Sequence, residues 1–229
     1  MAAADDACSL FARLRAASRQ AWGAFIGHPF VQQLAAGTLD ERCFRCYLSQ
    51  DYLFLIHFAR AYGLAAFKAE TIADIRAAAG GLSAMIDQEM RLHVDYCRGW
   101  GLSEAEMACA EEDAATLAYT RFVLERGLAG DLLDLQVALA PCILGYAEIG
   151  HALLEAPSTV LAGNPYRAWI EMYAGADYQA VATAHSRQMD ELFAHRGSEA
   201  RLPALATTFT QATRLETAFW QMGLAAPAL

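Results

Sequence analysis

A cysteine and a glutamate, each in an apolar stretch, are the side chains of this chain best suited to covalent chemistry. Cys142 lies in the segment 140–150, and Tyr146 follows it by four residues, so that both would share one face of a helix. Glu216 lies in an apolar stretch near the C-terminus, where an unpaired carboxylate would be costly or would stay protonated. If folding brings the thiol and the carboxyl group together, they could act as a nucleophile and a general acid/base.

Each residue taken alone has a simpler explanation. Free cysteine is among the most buried residue types and usually serves as a small apolar side chain of the core. A glutamate in a helix usually lies at the surface or in an ion pair. The prediction of a site therefore depends on a larger set of residues.

A second group of residues combines an acid with aromatic rings. Asp51 lies between Tyr47 and Phe54 at spacings of four and three, which places all three on one helical face. An aspartate on such a stripe needs a partner, and a ligand with amine or ring-nitrogen donors could supply it. Other apolar helices contain aromatic residues with polar tips, namely Tyr119, Tyr146 and Tyr173. A buried tyrosine is usually structural, but together with Asp51 these rings indicate a pocket for a flat, polar aromatic molecule.

Two short motifs could bind metal, and neither is convincing. Cys43 and Cys46 form a single CxxC without a second pair or a histidine at zinc-ligand spacing. Glu89 and His93 share a helical face, but a di-iron site in a bundle needs several such ligands on facing helices. We therefore predict no metal and no cofactor. The remaining histidines share no spacing and are expected to be structural: His28, His57, His151, His185 and His195.

Composition and charge narrow the classes of function. The chain has 229 residues, of which 56% are hydrophobic and only 6 are proline, which favours one helical domain, residues 1–229, with extensive burial. The net charge is −9 without a basic block, which argues against a nucleic-acid partner. No apolar run of membrane-spanning length lacks polar groups, so we predict no membrane span. Scattered cysteines and an N-terminus unlike a signal peptide indicate the cytoplasm.

Apolar positions recur at helical spacing almost throughout, which predicts an all-α bundle. Thr38–Glu41, Asn164–Pro165 and Ser198–Glu199 carry helix-start signals, while Gly80–Gly81 indicates either a break or a close packing contact. The predicted helices are Asp6–Gly27, Pro29–Ala36, Asp40–Lys68, Ile72–Gly99, Ser103–Gly127, Leu132–Glu155, Pro165–Ala174, Asp177–His195 and Ser198–Met222.

In the order and spacing of several short motifs, the chain resembles the TenA/thiaminase II family from about Phe25 to Trp220. Each motif is weak by itself, whereas their arrangement along the chain is specific. The matching pieces are His28-Pro29-Phe30, Leu48-Ser49-Gln50-Asp51-Tyr52, Glu89-Met90-Arg91-Leu92-His93, Ala118-Tyr119-Thr120, Pro141-Cys142 with Tyr146 and Glu148, Trp169-Ile170 with Tyr173, and Glu216 with Phe219-Trp220. The resemblance implies a haem-oxygenase-like all-α fold, a homotetramer, and hydrolysis of an aminopyrimidine substrate in thiamin salvage.

The resemblance also implies roles for individual residues. Cys142 would be the nucleophile, Glu216 the proton donor and acceptor, and Asp51 the anchor for the amino-pyrimidine. Aromatic walls would come from Tyr119, Tyr146, Tyr173 and Phe219, with Tyr47 also at the substrate. One position departs from the pattern, because the family commonly has tyrosine three residues after its aspartate and this chain has Phe54. The missing hydroxyl bears on the preferred substrate or the rate rather than on the type of reaction.

Two alternatives stay open at the level of sequence. A metal-dependent oxidase or haem-binding protein of the same fold would need a cluster of histidines or carboxylates. A pyrimidine-binding or regulatory protein without turnover would need neither a thiol nor a proton shuttle, so Cys142 and Glu216 favour an enzyme.

Overall fold

The computed structural model describes residues 8–226, apart from the side chains of Ala84, Met85 and Gln88. Within that range the backbone forms twelve α-helices, one π-helical turn and no β-strand, which confirms the predicted all-α class. The elements are α1 (Leu10–Ala17), α2 (Arg19–Ile26), α3 (Pro29–Ala36), α4 (Glu41–Lys68), α5 (Ile72–Ala84), the π-helical turn (Met85–Glu89), α6 (Met90–Gly99), α7 (Glu104–Ala108), α8 (Ala114–Ala129), α9 (Leu132–Glu155), α10 (Arg167–Ala174), α11 (Ala176–Arg196) and α12 (Leu202–Leu224).

Helices α4, α9 and α12 pack against one another at the centre of the bundle. Between Leu132 and Gly150 on α9, only Asp134 and Glu148 are not buried. A helix that is apolar on all sides is normally enclosed by its neighbours, and α9 also contacts α8, α10 and α11. Among residues 8–226, α9 alone is long and apolar enough to cross a membrane, yet 72% of its most apolar window is buried inside the protein.

The first predicted helix is wrong in its continuity. Its predicted start at Asp6 lies outside the described residues, and Ser18 divides the rest into α1 and α2. The Ser18 side chain is buried and shares a 2.6 Å hydrogen bond with the Thr210 hydroxyl on α12. Serine has a low propensity for the interior of a helix. Here its hydroxyl forms a hydrogen bond to a neighbouring helix at the point where α1 ends and α2 begins.

The fourth predicted helix is interrupted, but not at its glycine pair. Helix α5 continues through Gly80 and Gly81, and the irregularity is the π-helical turn that follows at Met85–Glu89. Gly81 instead allows a close contact, because a Cβ atom there would lie 2.3 Å from the Tyr62 ring. The packing interpretation is therefore confirmed for Gly81 but not for Gly80, where a Cβ atom would have no close neighbour among the described residues, and the predicted break is wrong.

The fifth predicted helix is two helices, α7 and α8. Asp113 caps α8 by accepting a 2.8 Å hydrogen bond from the Ala115 N–H. Gln50 on α4 holds this connection, since its side-chain oxygen accepts hydrogen bonds from the Asp113 N–H and the Thr116 hydroxyl. An N-cap aspartate inside the predicted span is the sequence signal for this division.

The helix-start signals have mixed outcomes. Asp40 caps α4 as predicted, with its carboxylate accepting from the Arg42 N–H at 2.9 Å. Pro165 lies in a turn before α10 rather than in it, because Asn164 accepts a hydrogen bond from the Tyr166 N–H and delays the helix to Arg167. The last helix starts at Leu202 instead of Ser198, with Pro203 in its first turn, where a missing N–H costs nothing.

Candidate active site

Helices α9 and α12 bring Cys142 and Glu216 together inside the bundle. Both side chains are buried, with 8% and 1% of their surfaces exposed. The thiol and the carboxyl group interact through a hydrogen bond that favours the ionised form of Glu216. The predicted meeting of a thiol and a carboxyl group is therefore a feature of the fold.

Tyr119 on α8 contacts the same carboxyl group. Its hydroxyl donates a 2.8 Å hydrogen bond to Oε1 of Glu216. Burial raises the pKa of Glu216 to about 8, although the hydrogen bond from Tyr119 acts in the opposite direction. At neutral pH Glu216 is therefore mainly a neutral carboxylic acid that can donate a proton.

The Cys142 thiol is protonated at neutral pH. Burial raises its pKa well above the usual range, and the nearby Glu216, Glu89 and Asp51 carboxyl groups add to the effect. Only the thiolate is strongly nucleophilic, so attack by Cys142 requires a partner that takes its proton. Glu216 is the carboxyl group in contact with the thiol.

Asp51 has a partner within the protein, which the sequence analysis missed. Its Oδ2 lies 2.6 Å from Nε2 of His93, and the other ring nitrogen, Nδ1, donates to the Glu89 main-chain oxygen at 2.6 Å. Both nitrogens thus face oxygen acceptors, an arrangement that suits the doubly protonated ring. Burial by itself would lower the pKa of His93, but the charge and hydrogen bond of Asp51 outweigh it and raise that pKa.

His93 could have been found from two signals in the sequence. Asp51 needs a buried partner, and His93 lies in one of the motifs that match the TenA pattern. Helical spacing pairs His93 with Glu89 and therefore suggests only a metal ligand, because it cannot show that α6 packs against α4.

Aromatic rings surround these polar groups on two sides, and every aromatic residue predicted for the site is buried. On one side Tyr146 lies 4.9 Å from Tyr173 between ring centroids. On the other, Phe54 lies 4.9 Å from Tyr119 and 5.6 Å from Phe219. Rings at these separations form continuous apolar walls.

Two tryptophans, which the sequence identified only as positions of the family motifs, pack against Tyr47 and Tyr146. Trp169 donates a 3.3 Å hydrogen bond to the Tyr47 hydroxyl, and Trp220 lies 5.1 Å from Tyr47 and 5.2 Å from Tyr146 between ring centroids. Both are fully buried. They fix the positions of tyrosines that the sequence analysis placed at the substrate.

Gly150 allows α9 and α10 to approach closely beside this wall. A Cβ atom at Gly150 would lie 2.6 Å from the main-chain carbon of Tyr173, closer than real Cβ atoms come. Because that neighbour is backbone, a larger residue would displace α10 and with it the Tyr173 ring.

The sequence profile of a known protein family matches most of this chain. Residues 15–226 match the sequence profile described as the TENA/THI-4/PQQC family, which is more than half of the chain. This chain is a member of the TENA/THI-4/PQQC family. Its resemblance to TenA proteins, inferred above from short motifs, is thereby confirmed.

Individual relatives of this TENA/THI-4/PQQC member cover nearly its full length. An uncharacterized protein of Haemophilus influenzae is 43% identical over 205 residues, which are 89% of this chain and 93% of that protein. An aminopyrimidine aminohydrolase of Halalkalibacterium halodurans is 34% identical over 215 residues, covering 93% and 95% of the two chains. A crystal structure described as a TenA family transcription regulator from Silicibacter sp. TM1040 has a TM-score of 0.87 and 45% identity, covering 94% of this chain and 96% of that one.

Metal ligands do not converge in the described part of this family member. Among residues 8–226, no three side chains of histidine, cysteine, aspartate and glutamate lie together as a ligand set. Cys43 lies partly buried on α4, with its sulfur 3.7 Å from the Leu224 carbonyl oxygen. In the region described, the CxxC therefore has the surroundings of packing residues.

Four of the five histidines expected to be structural have partners within the protein. His28 accepts from the Phe30 N–H and caps α3, and His185 is buried against the Gln136 main-chain oxygen. Burial lowers the pKa of His185 to about 4, so its ring is neutral. Nε2 of His57 lies 3.0 Å from Glu112, and Nε2 of His151 lies 3.2 Å from Glu155.

Proposed function

We propose that this protein hydrolyses aminopyrimidines, using Cys142 as the nucleophile and Glu216 as the acid/base. One observation carries the proposal: a buried thiol contacts a buried, protonated carboxyl group that is itself held by Tyr119. Family membership and a relative named aminopyrimidine aminohydrolase support the same reaction. The enzyme would act in thiamin salvage.

Substrate binding follows from the walls and the buried pair. A pyrimidine ring would lie between the aromatic side chains, which exclude water and pack against its faces. Asp51, oriented by His93 at 2.6 Å, would accept hydrogen bonds from the exocyclic amino group. This interaction fixes which edge of the ring faces Cys142.

Proton transfer from Glu216 would start the reaction. The neutral acid donates its proton to a ring nitrogen, which makes the electron-poor ring a better electrophile. Glu216 is then a carboxylate in contact with the thiol, and it accepts the Cys142 proton as the sulfur adds to a ring carbon. The two transfers return Glu216 to its starting state, so that one carboxyl group serves both steps.

Departure of the leaving group completes the exchange. The amino lone pair conjugated with the ring expels ammonia, or a thiazole, from the exocyclic methylene. Water adds to that methylene, and elimination of the thiol restores the aromatic ring. The product is a hydroxymethyl-pyrimidine.

A regulator without turnover is the alternative that the description of the Silicibacter protein raises. Binding alone requires neither a thiol nor a carboxyl group kept neutral at pH 7, and both are present here. The test is incubation with 4-amino-5-aminomethyl-2-methylpyrimidine and, separately, with thiamin, followed by product analysis. Formation of hydroxymethyl-pyrimidine from either compound supports the enzyme, and tight binding without product supports the regulator.

We also propose a homotetramer in the cytoplasm. Large apolar side chains are exposed near the ends of α4, α5 and α8: Phe67, Ile72 and Leu128 are 86%, 61% and 70% exposed. Such surface is commonly covered by other subunits. Among residues 8–226, which include all six cysteines, none forms a disulfide, as expected in a reducing compartment. Light scattering that gave about 24.9 kDa, one chain, would contradict the tetramer.

A further inference from the structure

A carboxyl group that the reaction described above does not use lies beside the site. Glu89 is the last residue of the π-helical turn Met85–Glu89, directly before α6. Such turns are rare in proteins, and those that occur are often found at functional sites. The extra residue changes the direction of the side chains that follow. Here the main-chain oxygen of Glu89 accepts the hydrogen bond from His93, so this turn and the Asp51 pair are joined.

The Glu89 side chain belongs to the same cluster as the nucleophile. Its carboxyl group forms a hydrogen bond with the buried Tyr178 on α11 and interacts electrostatically with Asp51 and Cys142. Burial, followed by the Asp51 charge, raises the pKa of Glu89 to about 7. A cationic group bound nearby would therefore convert Glu89 fully to the carboxylate.

The chemistry of the substrate ring assigns a place to this carboxylate. The methylene that bears the leaving group is attached to the ring carbon between the carbon attacked by sulfur and the carbon that bears the amino group. Cys142 would attack the first of these two carbons, and Asp51 would bind the amino group on the second. Glu89 interacts electrostatically with both Cys142 and Asp51, so its carboxylate is available to a group on the methylene between them, while Glu216 serves the ring nitrogen.

Glu89 also differs from the other acidic groups in its exposure. Asp51 and Glu216 are 5% and 1% exposed, whereas Glu89 is only partly buried. Glu89 is therefore the most exposed of these three acidic residues.

We propose that Glu89 is a specificity residue that binds the ammonium group of an aminomethyl-pyrimidine substrate and retains it until departure. This inference rests on the proposed function and extends it to the leaving group. An ammonium group can donate hydrogen bonds to the Glu89 carboxylate, whereas a hydroxymethyl group at the same position is neutral. Glu89 would therefore favour the amine substrate over the alcohol product.

The test is calorimetric binding in a Cys142→Ser background, in which bound substrate persists. The ligands are 4-amino-5-aminomethyl-2-methylpyrimidine and its hydroxymethyl counterpart. We expect Glu89→Gln to weaken binding of the amine by about 10-fold or more, the loss of a charge-assisted hydrogen bond, and to change binding of the alcohol by less than about 2-fold. Equal losses for both ligands, or no loss for either, would overturn the proposal.

Asp87→Asn is the matched control, because Asp87 lies in the same π-helical turn but is exposed and accepts from the Ser83 hydroxyl at 2.7 Å. It should leave the ratio of the two affinities unchanged, and a shift like that of Glu89→Gln would overturn the assignment to Glu89. Ammonia release by the otherwise unchanged protein separates this inference from the proposed function. Release without a Glu89 effect rejects only the inference, and absence of release rejects both.

Discussion

The Tyr119 hydroxyl lies 2.8 Å from Oε1 of Glu216 and connects α8 to the carboxyl group that α12 places beside Cys142. Tyr119 is 1% exposed, so its hydroxyl has no access to bulk water and is directed at one acceptor. The bond favours ionised Glu216, against the burial that favours the neutral acid. Tyr119 therefore sets how readily Glu216 changes between donor and acceptor.

Tyr119→Phe should slow the reaction without unfolding the protein. The Phe54 ring, 4.9 Å from Tyr119, would still pack against the new side chain. Loss of a hydrogen bond to a charged group corresponds to about 1.5–3 kcal/mol, or roughly a 10-fold or larger fall in kcat/KM. An unchanged melting temperature is the control for the fold, and wild-type kinetics in this variant would remove Tyr119 from the mechanism.

Activity should depend on the protonation of Glu216. Because its pKa is raised to about 8 and the neutral acid is the proton donor, kcat/KM should be high below that pH and fall as the pH rises through about 8. In Tyr119→Phe the same fall should move to higher pH, since a bond that lowers this pKa is gone. A pH profile with its basic limb at the same position in both proteins would contradict the assignment.

The Asp51–His93 pair should show strong coupling in a double-mutant cycle. Both side chains are buried, so removing one partner leaves the other uncompensated at a cost of about 3–5 kcal/mol of stability. Asp51→Asn and His93→Gln should each be destabilising and each raise KM. The double variant should lose much less stability than the sum of the two. Additive losses in denaturant unfolding would show that the 2.6 Å contact is energetically unimportant.

The sequence predicted the fold class and the members of the candidate site better than it predicted their contacts. Helical spacing placed Cys142 with Tyr146 and Asp51 with Tyr47, because residues four apart meet on any helix. The approach of His93 to Asp51 depends on how α6 packs against α4, and short-range periodicity carries no such information. Breaks at Ser18 and before Asp113 were missed because apolar spacing continues across them.

Phe54→Tyr tests the position at which this chain departs from the TenA pattern. Phe54 is buried against Phe58, Tyr119 and Phe219, so a new hydroxyl would enter an aromatic wall. If it reaches the substrate or a catalytic group, catalysis should change by about 0.5–1.5 kcal/mol, roughly 2- to 13-fold. Equal changes in kcat and kcat/KM would indicate a transition-state contact, and a change in KM alone would indicate binding. Identical kinetics and melting temperature would leave the hydroxyl without a role.

Ammonia release by the wild-type protein and by Cys142→Ser, measured side by side with 4-amino-5-aminomethyl-2-methylpyrimidine, tests the account most directly. Serine keeps the size of the buried side chain but has a much higher pKa than a thiol, so Glu216 could not generate the attacking anion. The account predicts ammonia and hydroxymethyl-pyrimidine from the wild type, and no turnover by the variant at an unchanged melting temperature. Substantial turnover by Cys142→Ser, or none by the wild type, would contradict it.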